Sequence, residues 1–354
     1  MKNTGFRAAT ALFFLFTLGF IPVQVGASGT ISGPSVPTTI TDDAPGSEYA
    51  TIDAYARQTP ESQARSLNTL GHYLTAPAHS DLAKARSVYT WIMTHIRYDE
   101  AAGGNGFYNS EISYAEKVLT SRRAVCTGFA LLYKHLLKRA GVRAVTVKGY
   151  ARTADSEAGQ PIAKIDHEWN AVELDGDWYL LDLAWASTTA RNDRANEYFF
   201  LTDPETFVAG HLPADSRWQL LETPVSKAQF DQFPKLYDAY FRLGFSADFP
   251  QSGRLLAGPT VSLTVENGEQ PVEFMCSVSR VNGATAQPVP VSVVQTGDQY
   301  RLTIKLLPTA TVSTLYVFAK PKRGGFERVK SFEGIASFRV GGASAGGLRY
   351  VAVR

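Results

Sequence analysis

Between residues 47 and 120, apolar side chains recur at intervals of three and four. Leu82, Ala85, Val88, Tyr89, Ile92 and Ile96 form one stripe, which predicts a helix with a single buried face. Ser80 stands where its N-cap belongs. Residues 109–120 predict a second, shorter helix. The run SRRAVCTGFALLYKHLLKRAG (121–141) predicts a third. Phe129, Leu132, Tyr133, Leu136, Leu137 and Ala140 share its apolar face. Lys134, Lys138 and Arg139 fall in its second half, where positive charge suits the dipole, and Gly141 is the stop.

After Gly141 the period drops to two. VRAVTVKGYAR and KIDHEWNAVELDGDWYLLDLAW alternate and are rich in β-formers, which predicts strands. Residues 197–201 predict one more strand, and 203–245 return to mixed helix and loop. The tail is different again. TVSLTVE, VEFMCSVS, VPVSVVQT, QYRLTIKLL, STLYVFAK and LRYVAVR are short alternating runs separated by Gly, Pro and Asn. In one of them Tyr300, Leu302, Ile304 and Leu306 face one way, and Arg301, Thr303 and Lys305 the other. Such a series predicts a small β-sandwich. The expected division is therefore 1–27 signal peptide, 28–47 flexible linker, 48–248 an α+β domain and 249–354 an all-β domain.

Composition narrows the classes. At 354 residues with 44% hydrophobic content the chain can bury a sizeable core. Its formal net charge is +2, and two of its positive charges, Lys2 and Arg7, lie in the segment expected to be removed. That leaves no basic field for nucleic acid. The N-terminus combines those two charges with an apolar run over 8–20 and the small-residue site Val25-Gly26-Ala27, which predicts a cleaved signal peptide and an exported protein. An uncleaved anchor is the alternative, but the run is short against the ~20 residues of a span. No later segment is apolar enough to cross a bilayer. The Gly-rich VGGASAGG is read as a flexible loop, and KPKRGG as a solvated turn.

The chain has two cysteines. Cys276 alternates with Val272, Phe274 and Val278 and reads as a core thiol, so a bridge to Cys126 is not expected. Cys126 opens a helix, where unsatisfied N–H groups and the dipole favour a thiolate. It is a candidate nucleophile; the plain alternative is a small buried residue. A nucleophile needs a base. Of six histidines, His135 lies too far along the same helix, and His95 sits among core residues of its own. His167 stands on a predicted strand that turns at Asp175-Gly176, a strong hairpin signal. Pairing Leu174 with Asp177 puts Trp169 opposite Asp182 and His167 opposite Ala184. His167 and Asp182 then lie on one face, about 7–8 Å apart at the backbone. An aromatic-rich structural hairpin is the alternative for that pair. Cys126, His167 and Asp182 together offer nucleophile, base and orienting acid. His211 in GHLPADSRW pins a loop or borders the cleft. Trp169, Trp178 and Trp185 are core or groove wall. No spacing suggests a metal site, and no cofactor is called for.

The segments around Cys126, His167 and Asp182, with WIMTHIRYDE upstream, resemble the transglutaminase-like superfamily, the papain-type relatives with Cys, His and Asp in that order. YFFLTDPETFVAGHLPADSRWQLL further resembles the branch of the kyphoscoliosis peptidase and the cytokinesis-type proteins. The resemblance spans roughly residues 49–240. It implies a papain-like α+β core and the roles already named for the three residues. It also implies chemistry on amide or peptide bonds through a thioester, by hydrolysis or transamidation, on a protein or peptide, with cell-wall peptides among the candidates. Calcium dependence is not expected, because no acidic cluster has calcium-loop spacing. The rival reading is a non-catalytic binding or scaffold protein on the same fold.

Overall fold

The structure is a computed structural model that describes residues 49–103, 109–280, 285–306, 313–322 and 331–341. The signal peptide and linker expected at 1–47, the strand LRYVAVR, all but the first two residues of VGGASAGG and the second half of KPKRGG fall outside the described residues.

The first half is helical, and its helices are set by local signals. Ser80 Oγ accepts from Ala83 N–H at 3.1 Å and opens the helix Asp81–His95. Ser110 and Ser113 close a capping box on Glu111–Ser121. The helix Cys126–Arg139 has no side-chain cap at its start and ends where Gly141 adopts φ +75°. Its apolar face is fully buried: Leu131, Leu132, Tyr133, Leu136 and Leu137 are at 0% exposure. It packs against an antiparallel sheet of strands Asp177–Leu181, His167–Leu174, Ala144–Ala151 and His211–Pro213, in that order. Asn170, on the second of these strands, donates from Nδ2 to the Ala130 carbonyl at 3.0 Å and to the Val145 carbonyl at 3.1 Å. One buried amide thus ties helix to sheet.

The hairpin register is as read from Asp175-Gly176, with Leu174 opposite Asp177 and Asn170 opposite Leu181. Both turn residues have positive φ (53° and 97°), as a two-residue hairpin turn requires. The pairing stops there. Trp169 is not paired with Asp182, nor His167 with Ala184. Asp182 is instead the N-cap of a short helix, Leu183–Thr188, and its Oδ1 accepts from Trp185 N–H at 3.0 Å. A carboxylate one residue past a strand captures a free N–H and turns the chain, which strand periodicity does not report. The strand expected over 197–201 is likewise replaced by the 3-10 turn Glu197–Phe199.

The tail forms two facing antiparallel sheets. One carries Gln287–Val289, Val272–Arg280, Ser313–Pro321 and Glu333–Val340; the other carries Val291–Thr296, Gln299–Lys305 and Thr260–Glu266. Tyr300, Leu302 and Ile304 are buried while Arg301, Thr303 and Lys305 are exposed, the alternation of a sandwich strand. Cys276 is a free, fully buried thiol. The apolar core of this half also draws in Phe230, Phe233, Tyr240, Phe245 and Phe249. At the edge of the first sheet, Glu333–Val340 pairs with Lys235–Leu236 on one side and runs parallel to Arg254–Leu255. Among the described residues no helix is long and apolar enough to cross a membrane.

Candidate active site

Three local facts bring the site together. Cys126 is the first residue of its helix and is half-buried, so its sulfur is neither sealed in the core nor freely solvated. The short parallel pair Arg97–Tyr98 with Arg123–Ala124 fixes the approach to that helix. His167 is the first residue of its strand, opposite Gly149. The glycine is required there: a Cβ on it would lie 2.3 Å from the Leu212 carbonyl oxygen and 2.5 Å from the Trp169 ring. The neighbouring strand and the indole therefore close directly over the backbone beside His167.

His167 Nε2 and Asp182 Oδ2 are 2.6 Å apart, and the Asp182 side chain is wholly buried. With Nε2 engaged, Nδ1 is the ring atom left for a second partner, and Cys126 is among the groups near enough to act on the charge of the ring. Burial alone would lower the His167 pKa. The charge and hydrogen bond of Asp182, and then the Cys126 sulfur, outweigh it and raise the imidazole to about 10. Burial would raise Asp182, yet the imidazoles beside it hold its carboxyl well below the usual range. The structure thus joins the ring and carboxylate picked from the sequence by a hydrogen bond, with the Cys126 sulfur near enough to act on the ring's charge. Such a row can pass a proton between a sulfur and a substrate nitrogen while the carboxylate steadies the ring's charge.

Two neighbours were not assigned to this row from sequence. His211 Nε2 lies 2.9 Å from the same Asp182 Oδ2, inside a box of Phe207 (stacked, 4.0 Å), Trp185 (4.2 Å) and Trp169 (5.1 Å). Tyr98 is 38% exposed and stacks on Phe129. Burial, then the nearby Cys126, Glu100 and Asp182, push its phenol up to about 12, which places Tyr98 on the lip of the site. Trp169 is buried and also borders His167, Trp185 lies under the site, and Trp178 packs edge-on to Trp218 away from the ring cluster. His135 and His95 stand apart: His135 faces Glu111, and His95 stacks on Trp91 of its own helix.

His167, Asp182 and His211 are also the set of His, Cys, Asp and Glu residues whose ligand atoms cluster, all within 4.8 Å. The separations fit shared protons better than a shared ion. Ligands held tetrahedrally about 2.0–2.2 Å from zinc stand roughly 3.3 Å from each other, whereas these nitrogens approach the oxygen to 2.6 and 2.9 Å.

Residues 68–183 match the family model of the transglutaminase-like superfamily, a range that holds Cys126, His167 and Asp182. The chain carries a transglutaminase-like core. Among curated proteins this chain is similar to the kyphoscoliosis peptidase of Mus musculus, at 32% identity over 235 residues, 64% of this chain and 35% of the relative. It is similar to the Homo sapiens kyphoscoliosis peptidase at 30% identity over 242 residues, 63% and 36% of the two chains. Hillarin of Drosophila melanogaster matches at 23% identity over 251 residues, 65% and 30%. The chain spans about a third of the length of these relatives.

Proposed function

We propose that this protein is a transglutaminase-like cysteine enzyme that cleaves or exchanges amide bonds of proteins or peptides. The observation that carries this reading is the His167 ring, fixed by Asp182 at Nε2 and within reach of Cys126 at the uncapped start of a helix. The thiol proton rests on the His167 imidazolium, and Sγ attacks the carbonyl carbon as the thiolate. The backbone N–H of Cys126, at the positive end of its helix, is the donor proposed for the oxyanion. The C–N bond breaks, the amine leaves with the proton from His167, and a thioester remains. Water or a second amine then attacks, gives its proton to His167 and releases the thiolate. Water yields hydrolysis; an amine yields a cross-link.

The test incubates the full chain with a glutamine-rich protein or peptide and a labelled primary amine, beside Cys126→Ala. Amine incorporation or peptide release is expected for the natural chain only. Equal signals, together with iodoacetamide labelling of Cys126 no faster than of an ordinary free cysteine, would favour a binding protein on this fold.

Export forms part of the proposal and rests on the charged, apolar and small-residue succession at 1–27. N-terminal sequencing of the protein recovered outside the cytoplasm of a bacterial host should read from Ser28; recovery only inside the cells with Met1 retained rejects it. The sandwich of 249–354 is proposed to place the core on its protein or polymer target.

A further inference from the structure

We propose that His211 is a positioning residue for the catalytic row, and that it works through Asp182. This rests on the reading of the row as a cysteine-enzyme site. Asp182 receives three hydrogen bonds. Oδ1 accepts from Trp185 N–H at 3.0 Å; Oδ2 accepts from His167 Nε2 at 2.6 Å and from His211 Nε2 at 2.9 Å. A carboxylate can only accept, so both rings must present Nε2–H to the one oxygen. His167 keeps its remaining nitrogen for the sulfur. His211 has no such outlet. Its ring is 2% exposed, stacked on Phe207 and enclosed by Trp185 and Trp169.

The groups that face His211 are Asp182 at the cap of the Leu183–Thr188 helix, His167 on its strand, and Lys235 from the strand Lys235–Leu236. Burial first, and then the nearness of His167 and Lys235, favour a neutral His211 despite the carboxylate. A neutral ring that donates at Nε2 leaves Nδ1 bare. It therefore donates to Oδ2 without competing as a second cation. This bond also fixes the carboxylate plane, because Oδ1 is already held by the Trp185 N–H. The ring of His167 is thereby aimed from behind by a group that touches neither substrate nor sulfur. The sequence interval of 29 residues between Asp182 and His211 hides this, because strand pairing of Ala151 with His211 is what delivers it.

The test has two arms on the full chain. In the first, two-bond 1H–15N spectra of histidine-labelled protein should show His211 as the Nε2–H neutral tautomer from pH 5 to 8. A Nδ1–H tautomer, or a ring that titrates in that range, overturns the proposal whatever the enzyme does. In the second, Cys126 alkylation by iodoacetamide at pH 7 is compared in His211→Phe, His211→Gln, Asp182→Asn and the His211→Phe/Asp182→Asn double variant. Phe keeps the aromatic packing and removes the donor; Gln returns an amide donor. His211→Phe should slow alkylation about tenfold, as loss of a hydrogen bond to a charged group implies, and His211→Gln should recover most of it. In the Asp182→Asn background His211→Phe should add less than about twofold, because the two act through one carboxylate. A full additive loss there, or no loss in His211→Phe alone, overturns the proposal. If the natural chain itself alkylates like an ordinary cysteine, the enzyme reading fails, and the tautomer spectra still decide the role of His211.

Discussion

Two of the buried carboxylates among the described residues, Asp53 and Asp182, have opposite characters. Asp53 is 4% exposed and bound by Arg86 through Nε (2.8 Å) and Nη2 (2.6 Å), with Thr90 Oγ1 at 2.6 Å. Glu197 adds a second acid to the same guanidinium, which lies over Tyr49, Tyr89 and Phe200. Burial works against the charge on Arg86, but the two acids raise its pKa further still. Asp182 is just as buried, yet its partners are imidazoles. A guanidinium never gives up its proton, so the first cluster is a fixed tie between the helix Ala50–Arg57, the helix Asp81–His95 and the 197–199 turn. An imidazole can, so the second cluster can exchange protons with a sulfur. Similar burial of a similar group yields scaffold in one place and chemistry in the other, and the choice of cation decides which.

The largest effect expected from breaking this contrast is Asp182→Asn. The amide keeps the N-cap, since Asn caps as well as Asp, but it no longer fixes the ring or balances its charge. Turnover should fall by roughly 10³–10⁴, and the stability that the Asp182 charge gives His167 near neutral pH should be lost with it; amide-bond kinetics beside calorimetry check both. Retention of turnover to within tenfold would remove Asp182 from the row.

Asp53→Ala should cost stability alone. It strips the more deeply buried of two acids from a buried guanidinium, at about 3–5 kcal/mol of stability, read by urea unfolding. Cys126 in the protein that stays folded should alkylate at the unchanged rate. A slowed rate would mean that the two clusters are coupled.

The imidazoles sharpen the comparison through pH. The native pKa of His167 is raised to about 10, so its stabilisation is complete below 6.5 and is lost as pH rises through 6.5 to 10. That of His211 is lowered to about 4, so the unfolded chain gains a proton near 6.5 that the native state refuses. Stability then falls as pH drops from 6.5 to 4. Urea unfolding should be hardest near pH 6.5, with each limb on the order of a few kcal/mol. His167→Gln should flatten the alkaline limb and His211→Phe the acid one. No such limbs are expected from the Arg86 cluster, whose cation does not titrate there.

The smallest effect is expected at Gly149. Alanine there meets the Leu212 carbonyl oxygen and the Trp169 ring, and the strain should cost about 1–3 kcal/mol. It displaces His167 rather than removing it. Unfolding and Cys126 alkylation should therefore both shift modestly, and an unchanged protein would show that the His167 strand has room to move.

Much of this was legible in the chain. The helix carrying Cys126 announces itself by its apolar face, its basic second half and Gly141. The hairpin register follows from two turn residues, and it is correct as far as Leu181. Local periodicity stops being informative where a side chain overrules it: Asp182 takes a backbone N–H and ends the strand that continued alternation would have extended. Its nearness to His167 was foreseen, but through a cap rather than through a pair. His211 reads from the sequence as pinning a loop or bordering the cleft; its bond to Asp182 stays hidden because pairing with Ala151, far back in the chain, delivers it. The Arg86 cluster was not seen at all. A lone arginine on a helical stripe reads as solvated until three segments converge on it.

The seam at Glu333–Val340 carries a consequence of its own. That strand belongs to the sandwich, yet its edge is completed by residues 235–236, and Lys235 there reaches the Arg152 carbonyl at 2.6 Å and lies 4.6 Å from the centre of the Trp185 ring. Trp185 is in turn one wall of the box around His211. A load pulling on the sandwich is therefore handed, through one edge strand, one ammonium and one indole, to the chamber beside the carboxylate. The tail is stitched to one wall of the box around His211, so strain in the sandwich would be felt first beside Asp182.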